Sequence, residues 1–153
     1  MPRKVVVTSG LSGYVQNISI GPHLLQADEL DDSGSHDDGP NPYELLLAAL
    51  GACTGMTVRM YAQRKQWPLQ AVEVRLEHSR IHAEDCTECD THKGMLDRIE
   101  TEISFIGDLS DDQRHRLMEI ANNCPVHRTL VSEIQIQLRQ TEAGAFPSVH
   151  KSI

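Results

Sequence analysis

The sequence predicts an α+β fold, in which runs of strands are separated from runs of helices. Three short N-terminal segments alternate between apolar and polar residues, as antiparallel strands do, and a long apolar helix follows them. Two more alternating segments, two helix starts and a last alternating segment complete the order βββ-α-ββ-αα-β. Because the helices do not alternate one for one with the strands, this order favours α+β over a doubly wound parallel sheet.

Length and composition indicate a single domain with an aliphatic core. The chain has 153 residues, of which 39% are hydrophobic and only 4% aromatic, so we treat residues 1–153 as one domain. A subunit that completes its core across a dimer interface fits this composition. The net charge of −8 argues against nucleic acid or an anionic membrane as a partner, because phosphate binding needs clustered Lys and Arg. No apolar segment follows the Met-Pro-Arg-Lys start, so we expect a cytoplasmic protein.

The N-terminal strands form an antiparallel β-meander in this interpretation. The predicted strands cover residues 4–8, 14–20 and 23–30, and turn residues such as Gly21-Pro22 separate them. The acidic run that follows, residues 31–40, is typical of a solvated surface loop. A lid over the mouth of a site is the alternative.

The central helix is the most distinctive element of the sequence. Asn41 is a good N-cap, Pro42 suits the first helical position, and Glu44 can complete a capping box. Residues 45–58 are all apolar or small apart from two threonines, which predicts a helix buried in a core. We judge it too short and too interrupted to span a bilayer, and Trp67-Pro68 marks its end.

The second half of the chain predicts a hairpin, two helices and a closing strand. Ser110 to Gln113 has the pattern of a second capping box, and Cys124-Pro125 has that of a helix start. The predicted segments are strands over residues 71–80 and 97–107, a polar excursion over 81–95, a closing strand over 134–139, and a loose tail over 141–153.

Two cysteines, Cys53 and Cys124, lie at or in helices that pack on one core. At the N-cap position, unpaired amides and the helix dipole favour a Cys124 thiolate, and Arg128 could add a positive charge. His127 is a candidate base or hydrogen-bond partner, or else a partly exposed helix histidine. Cys53 lies in apolar surroundings that raise a thiol pKa, so it needs a nearby cation or donor to react. The alternative is that Cys53 only fills the core.

A second pair of cysteines lies in the polar excursion. His82, Cys86, Cys89 and His92 fall within eleven residues, and Cys-x-x-Cys with histidines is a common zinc pattern. Two alternatives stay open, an unliganded loop or incidental disulfide and a redox pair. The neighbouring acidic residues would oppose the thiolate that redox chemistry needs.

Two motifs together resemble the OsmC/Ohr family of thiol peroxidases. Asn41-Pro42 precedes an acidic residue, a Leu/Ala run and Ala52-Cys53, and Asn123-Cys124-Pro125-Val126 follows later. The order of elements also fits, so the resemblance covers roughly residues 4–140. It implies an OsmC-like fold and an intertwined homodimer in which the sheets wrap long central helices, with two active sites at the interface.

The resemblance also implies a reaction. Cys53 would attack the distal oxygen of an organic hydroperoxide and become a sulfenic acid, and Cys124 would then condense with it to a disulfide. A dithiol reductant, lipoyl-type or thioredoxin-like, would restore both thiols without a cofactor. A neighbouring thiol captures a sulfenic acid quickly and protects it from over-oxidation.

The sequence departs from the family pattern at two places. The resemblance implies a glutamate directly after Asn41-Pro42, where this chain has Tyr43, and Glu44 stands one residue later. It also implies an arginine on an N-terminal strand, and none of the three predicted strands contains one. Glu44 is therefore a catalytic candidate that could serve only its helix cap. A non-catalytic ligand-binding or redox-sensing protein on the same fold is the alternative function.

Overall fold

A computed structural model describes residues 2–29 and 37–142 and confirms the α+β fold. Residues 31–36 of the expected lid or loop (31–40) lie outside the described residues. The same is true of residues 143–153 of the expected tail (141–153). The elements are β1 (Val5–Ser9), β2 (Gln16–Ile20), β3 (His23–Ala27), α1 (Pro42–Arg64), β4 (Leu69–His82), β5 (Met95–Gly107), α2 (Asp111–Ala121) and α3 (Pro125–Leu130).

The first three strands form the predicted antiparallel meander in the order β1-β2-β3. Strand β3 ends earlier than predicted, because Asp28 anchors the acidic loop there. The Asp28 amide donates to the Pro40 carbonyl (3.2 Å), and the Asp28 carboxylate accepts from the Asp38 amide (3.3 Å). Both hydrogen bonds hold the end of the acidic loop against β3, directly before the central helix.

Helix α1 begins with the capping box that the sequence predicts. The Glu44 amide donates to Asn41 Oδ1 (2.9 Å), and the Asn41 amide donates to Glu44 Oε2 (2.8 Å). These bonds satisfy two of the amides that a helix start leaves without partners. The helix continues unbroken to Arg64.

Two predictions about α1 were wrong. The chain buries only one stripe of the helix, at intervals of four residues (Leu50, Thr54, Val58 and Ala62), whereas Met56 on another face is 64% exposed. Among residues 2–29 and 37–142 of one chain, the expected all-round burial therefore does not occur. The helix is also long and apolar enough to cross a membrane by length and composition alone, because its 23 residues contain an 18-residue window with a mean hydropathy of 1.4.

The hairpin β4–β5 supplies the surface on which α1 packs. Its two long strands pair antiparallel, with Leu76 opposite Thr101. Gly51 of α1 lies against Leu76, where a Cβ atom would come within 2.7 Å of the leucine methyl group. Tyr43 stacks on His78 with ring centroids 4.4 Å apart. The start of α1 therefore lies toward the end of β4, so the two elements run antiparallel.

Helix α2 closes the core against α1 and the hairpin. Its predicted capping box is confirmed, because Gln113 and Ser110 exchange side-chain hydrogen bonds with each other's amides (2.9 and 3.1 Å). Leu117 is fully buried and packs with Val58 in the main cluster. The other members of this cluster are Ala62, Leu69, Leu109 and Ala121.

The closing strand predicted over residues 134–139 does not form in the single chain. The structure describes all six residues, and none belongs to a strand. Ile136 is 87% exposed and Leu138 is 98% exposed. The alternating pattern is present, but none of the strands in the described part of the chain pairs with this segment, and an isolated strand leaves its backbone groups unpaired.

Candidate thiol site

The structure brings Cys53 and Cys124 together at the contact between α1 and α3. Cys53 lies in the middle of α1, and Cys124 is the N-cap residue of α3. Both are free cysteines whose side chains hydrogen-bond to each other. Cys53 is half-buried, whereas Cys124 is 0% exposed. One sulfur of the pair is therefore accessible from outside and the other is enclosed.

A tight turn after α2 carries Cys124 to this position. The Asn123 amide donates to the Ile120 carbonyl (3.0 Å), and the Cys124 amide donates to the Ala121 carbonyl (3.3 Å). Pro125 then begins α3 with the fixed φ angle that suits a first helical position. The Arg128 amide donates to the Cys124 carbonyl (3.1 Å) and closes the first turn.

The surroundings shift the pKa values of the two thiols in opposite directions. Burial raises the pKa of Cys53, and its hydrogen bond with Cys124 raises it further. Burial alone would also raise the pKa of Cys124. Hydrogen bonds from the Cys53 thiol, the His127 amide, the Thr54 hydroxyl and the Val126 amide outweigh burial and hold the pKa of Cys124 below its usual value. The first proton therefore leaves the pair from Cys124.

Two threonines take part in the site, and our sequence analysis assigned them no role. The Thr54 hydroxyl donates to the Leu50 carbonyl (2.9 Å) and also helps to lower the pKa of Cys124. The Thr57 hydroxyl donates to the Cys53 carbonyl (2.8 Å) and also helps to lower the pKa of Cys53. Thr54 and Thr57 stand one and four residues after Cys53 in an otherwise apolar run. These positions could have identified the two threonines as part of the site.

In the ranges that the structure describes, the other predicted catalytic side chains are not among the causes that shift the pKa of either thiol. Glu44 serves the helix cap, nine residues before Cys53 and therefore about 13 Å away along the helix axis. His127 contributes its backbone amide to the site, and Arg128 is exposed. Within the described residues, no Lys, Arg or His side chain contributes to either thiol shift. The proposed roles of the Glu44, His127 and Arg128 side chains stay predictions.

Arg59 follows Cys53 by six residues and is therefore another candidate for a cation beside the thiols. Its guanidinium binds backbone carbonyls instead. Its guanidinium donates to the carbonyls of Leu69 (2.7 Å) and Gln70 (2.8 Å). These bonds attach the end of α1 to the start of β4. Arg59 therefore holds the helix against β4. The groups that lower the thiol pKa values are backbone amides and hydroxyl groups, together with the Cys53 thiol for Cys124.

The structure joins Cys86 and Cys89 in a disulfide, with a Cα separation of 5.6 Å. In the described part of the chain, no group of three or more His, Cys, Asp or Glu side chains is arranged to hold a metal ion. The bonded form of this loop therefore lacks the zinc site that we predicted from His82, Cys86, Cys89 and His92. Zinc binding by the reduced form stays a prediction.

An open groove lies between the second half of α1 and the end of α2. It has a volume of about 500 Å³, and its lining is mostly apolar. The groove is lined by Thr57, Met60, Tyr61, Gln63, Arg64, Ile120 and Asn123. Neither cysteine is among these residues, but the Thr57 hydroxyl donates to the Cys53 carbonyl and Asn123 directly precedes Cys124 in the chain.

Comparison with known proteins decides the family. The model of the family described as OsmC-like protein matches residues 34–139, which is more than half of the chain and includes both thiols. The chain belongs to the OsmC-like protein family. An uncharacterized protein of Haloferax volcanii is 27% identical to this OsmC-like chain over 125 residues, which is 80% of this chain and 83% of the relative.

Solved structures show the same fold. An OsmC-like protein from Mycoplasma pneumoniae superposes with a TM-score of 0.62 at 20% identity and covers 85% of this chain and 89% of its own. The organic hydroperoxide resistance protein OhrB of Bacillus subtilis gives 0.60 at 18% identity, with coverage of 86% and 91%. A protein of Elizabethkingia anophelis, also named for organic hydroperoxide resistance, gives 0.62 at 16% identity, with coverage of 87% and 90%. At these identities the likeness establishes the OsmC-like fold.

The opposite pKa shifts predict how the thiols of this OsmC-like chain titrate. In a Cys86→Ser/Cys89→Ser background, thiolate absorbance should first rise at a pH below the usual thiol pKa, because Cys124 ionises first. Cys124→Ala should remove this early rise, and it should lower the pKa of Cys53 relative to the wild type, because the hydrogen bond and the charge of Cys124 both raise that pKa. Cys53→Ala should move the ionisation of Cys124 to higher pH, because Cys124 loses a hydrogen bond. An early rise that survives Cys124→Ala would contradict these assignments.

Proposed function

We propose that this OsmC-like chain reduces organic hydroperoxides through Cys53 and Cys124, as a defence against oxidative stress. The observation that carries the proposal is the pair of hydrogen-bonded free thiols, one half-buried and one enclosed. An accessible thiol beside a protected thiol is the arrangement that two-cysteine peroxide reduction requires. Two structural neighbours are named for organic hydroperoxide resistance, which agrees with this proposal.

The first step oxidises Cys53, the thiol that a peroxide can reach. The Cys124 thiolate accepts the Cys53 proton through their hydrogen bond, and the Cys53 sulfur attacks the outer oxygen of the hydroperoxide. The O–O bond breaks, and the outer oxygen with its hydrogen becomes the sulfenic acid of Cys53. The alkoxide takes the proton from Cys124 and leaves as an alcohol. Cys124 is then a thiolate again.

The second step closes a disulfide and the third reopens it. The Cys124 thiolate attacks the Cys53 sulfenic acid, the S–O bond breaks, and hydroxide leaves and becomes water. A lipoyl-type or thioredoxin-like dithiol then gives two electrons and two protons, which restores both thiols as the reductant becomes a disulfide. The cycle needs no cofactor, and it needs a reducing compartment, so we propose that the protein works in the cytoplasm.

The apolar groove favours organic hydroperoxides over hydrogen peroxide as substrates, because it can bury the alkyl part of an organic hydroperoxide. Each buried CH₂ group contributes about 0.8 kcal/mol, so two such groups give about a tenfold advantage in kcat/KM. With dithiothreitol as reductant, the protein should turn over cumene hydroperoxide at least about tenfold more efficiently than hydrogen peroxide. A protein that turns over neither peroxide would refute the proposed activity, and equal efficiency would refute the role of the groove.

We also propose that the protein is a homodimer. Apolar side chains that the single chain leaves exposed occur on the meander, on α1 and in the unpaired segment 134–138. They include Val5, Val7, Leu24, Met56, Met60, Ile134, Ile136 and Leu138. Val5 and Val7, and likewise Ile134, Ile136 and Leu138, occupy alternate positions of their segments, and rows of exposed apolar side chains of this kind mark interaction surfaces. A second copy of the chain would cover these side chains and supply a strand partner for residues 134–138.

Residues 135–138 allow a matched test of the dimer. Light scattering should give twice the chain mass of 17.1 kDa for the wild type at micromolar concentration. Ile136→Lys/Leu138→Lys should give the mass of one chain, because it places two charges on the apolar side of the segment. The control Gln135→Lys/Gln137→Lys adds the same charge to the alternate positions and should stay dimeric. A monomeric wild type, or equal masses for the two variants, would contradict the dimer.

A non-catalytic role as a ligand-binding or redox-sensing protein is the second candidate. Two observations favour it: burial raises the pKa of Cys53, and the Glu44 carboxylate accepts a hydrogen bond at the helix cap. Under this alternative the groove would retain a small apolar ligand, which native mass spectrometry of the purified protein would detect. A bound ligand together with no peroxide turnover would support it over the peroxidase.

A further inference from the structure

The loop between β4 and β5 carries the two cysteines that the proposed reaction does not use. The Ala83 amide donates to the Gly94 carbonyl (2.8 Å) and closes the base of the loop. A short 3-10 turn, Ala83–Asp85, then directs the chain into Cys86, whose amide donates to the Ala83 carbonyl (3.2 Å). Cys86 and Cys89 are bonded across this turn, with a Cα separation typical of disulfides.

Small thiols have access to this disulfide. Cys86 and Cys89 are half-buried, and both residues between them are exposed. The disulfide lies on the surface of a loop, so reduction requires no opening of the hydrophobic core. A disulfide that a reagent can reach without unfolding is open to thiol exchange.

This second pair of cysteines is remote from the first. Leu76 of β4 packs against Gly51, two residues before Cys53 in α1. From Leu76 the strand continues six residues to His82, which is about 20 Å at 3.3 Å per residue. The Cys86–Cys89 disulfide lies beyond that point, past the start of α1. No direct exchange with the Cys53 and Cys124 thiols of the same chain is therefore within reach.

We infer that Cys86 and Cys89 form a second, independent dithiol–disulfide centre, which exchanges with small neutral or cationic thiols. In reduction by a dithiol, one thiolate of the reagent attacks a sulfur of the pair, the S–S bond breaks, and a mixed disulfide forms. The second thiol of the reagent displaces the remaining cysteine and leaves as part of a cyclic disulfide. Two electrons and two protons pass to the protein, and a disulfide of the same class reverses the reaction.

The charge of the loop determines the preferred reagent. Glu84, Asp85, Glu88 and Asp90 are partly or fully exposed within seven residues, and within the described residues none of them forms an ion pair. Four carboxylates close in sequence to one disulfide repel the net-negative thiolate of an anionic thiol, and repel the zwitterionic thiolate of an amino-thiol much less, most clearly at low salt. Anionic thiols such as glutathione are therefore poor partners for this centre.

The test is a redox titration of the wild-type protein. The folded protein is equilibrated with mixtures of reduced and oxidised dithiothreitol, alkylated, and digested for peptide mass spectrometry. Cys86 and Cys89 should become labelled together in one reversible transition while the protein stays folded. Permanent labelling, permanent protection, or labelling only after unfolding would each overturn the inference. Elemental analysis of the reduced protein tests the competing prediction of a zinc site, and about one zinc ion per chain would overturn the inference in favour of that site.

Two comparisons test independence and charge selection. Cys86→Ser/Cys89→Ser should keep the wild-type rate of hydroperoxide turnover, and a loss of tenfold or more in the folded variant would contradict an independent centre. At matched thiolate concentration and low salt, cysteamine should reduce the wild-type disulfide at least about threefold faster than glutathione. Equal rates would refute the charge selection. A protein without peroxide activity could still pass the redox titration, so the inference and the proposed function can fail separately.

Discussion

Cys53→Ser should lower the rate of hydroperoxide reduction by about a thousandfold or more, equivalent to about 4 kcal/mol in activation free energy. The serine hydroxyl preserves the size of the side chain, but it is a far weaker nucleophile toward a peroxide oxygen than sulfur. Stopped-flow measurement with cumene hydroperoxide gives the rate directly. Cys86→Ser is the matched control, because it makes the same substitution at the remote loop and should keep the wild-type rate.

Cys124→Ser distinguishes the roles of the two thiols. The variant keeps the accessible Cys53 but has no second sulfur, so the first oxidation should give a lasting sulfenic acid that a trapping reagent detects. If Cys53→Ser reacted at the wild-type rate, or if only Cys124→Ser lost the first oxidation, the proposed attacking thiol would be wrong.

Leu117→Ala should destabilise the protein by about 3 kcal/mol, because it leaves a cavity where a fully buried leucine packs against Val58 of α1. Urea unfolding at fixed protein concentration measures the loss. The effect should extend to function, because Leu117 holds α2 against α1 and α2 leads directly into Cys124. A looser contact should slow disulfide formation.

Met118→Ala is the matched control for this substitution. Met118 is the next residue of α2 and is 44% exposed, so its truncation should cost much less, about 0.5 kcal/mol or less. Equal losses for the two variants would mean that the core between α1 and α2 is not where the structure puts it.

Local chemistry made the helix starts and the long hairpin predictable. Both capping boxes depend on a side chain and an amide three residues apart, so Asn41 with Glu44 and Ser110 with Gln113 are visible in the sequence. The alternating pattern identified β4 and β5 within a few residues of their ends. Interactions inside one segment determine these features, so no knowledge of distant contacts was needed.

Features that depend on distant partners were harder to predict. The segment 134–139 has the alternation of a strand, yet a strand also needs a neighbour, and one chain does not supply it. The same reason explains α1, whose apolar faces were expected to be buried and are instead covered along one stripe. A dimer interface and a hydrophobic core use the same apolar residue types, so the sequence alone does not show which of the two a given apolar residue belongs to.

The candidate site was predicted in part. The sequence motifs singled out both cysteines, and the structure places them next to each other. The N-cap position of Cys124 predicted that its thiol ionises easily, and the pKa of Cys124 is indeed lowered. The predicted cation beside the thiols was replaced by backbone amides and by the hydroxyls of Thr54 and Thr57. Backbone amides are present at every residue, so their convergence on one sulfur becomes visible only in three dimensions.

The most direct test of the account is a disulfide map after one equivalent of cumene hydroperoxide is added to the reduced protein. Most chains should acquire an intramolecular Cys53–Cys124 bond, because a half-buried and an enclosed thiol already share a hydrogen bond before oxidation. Recovery of Cys53 and Cys124 as free thiols, or of Cys53 joined to any other sulfur, would contradict it.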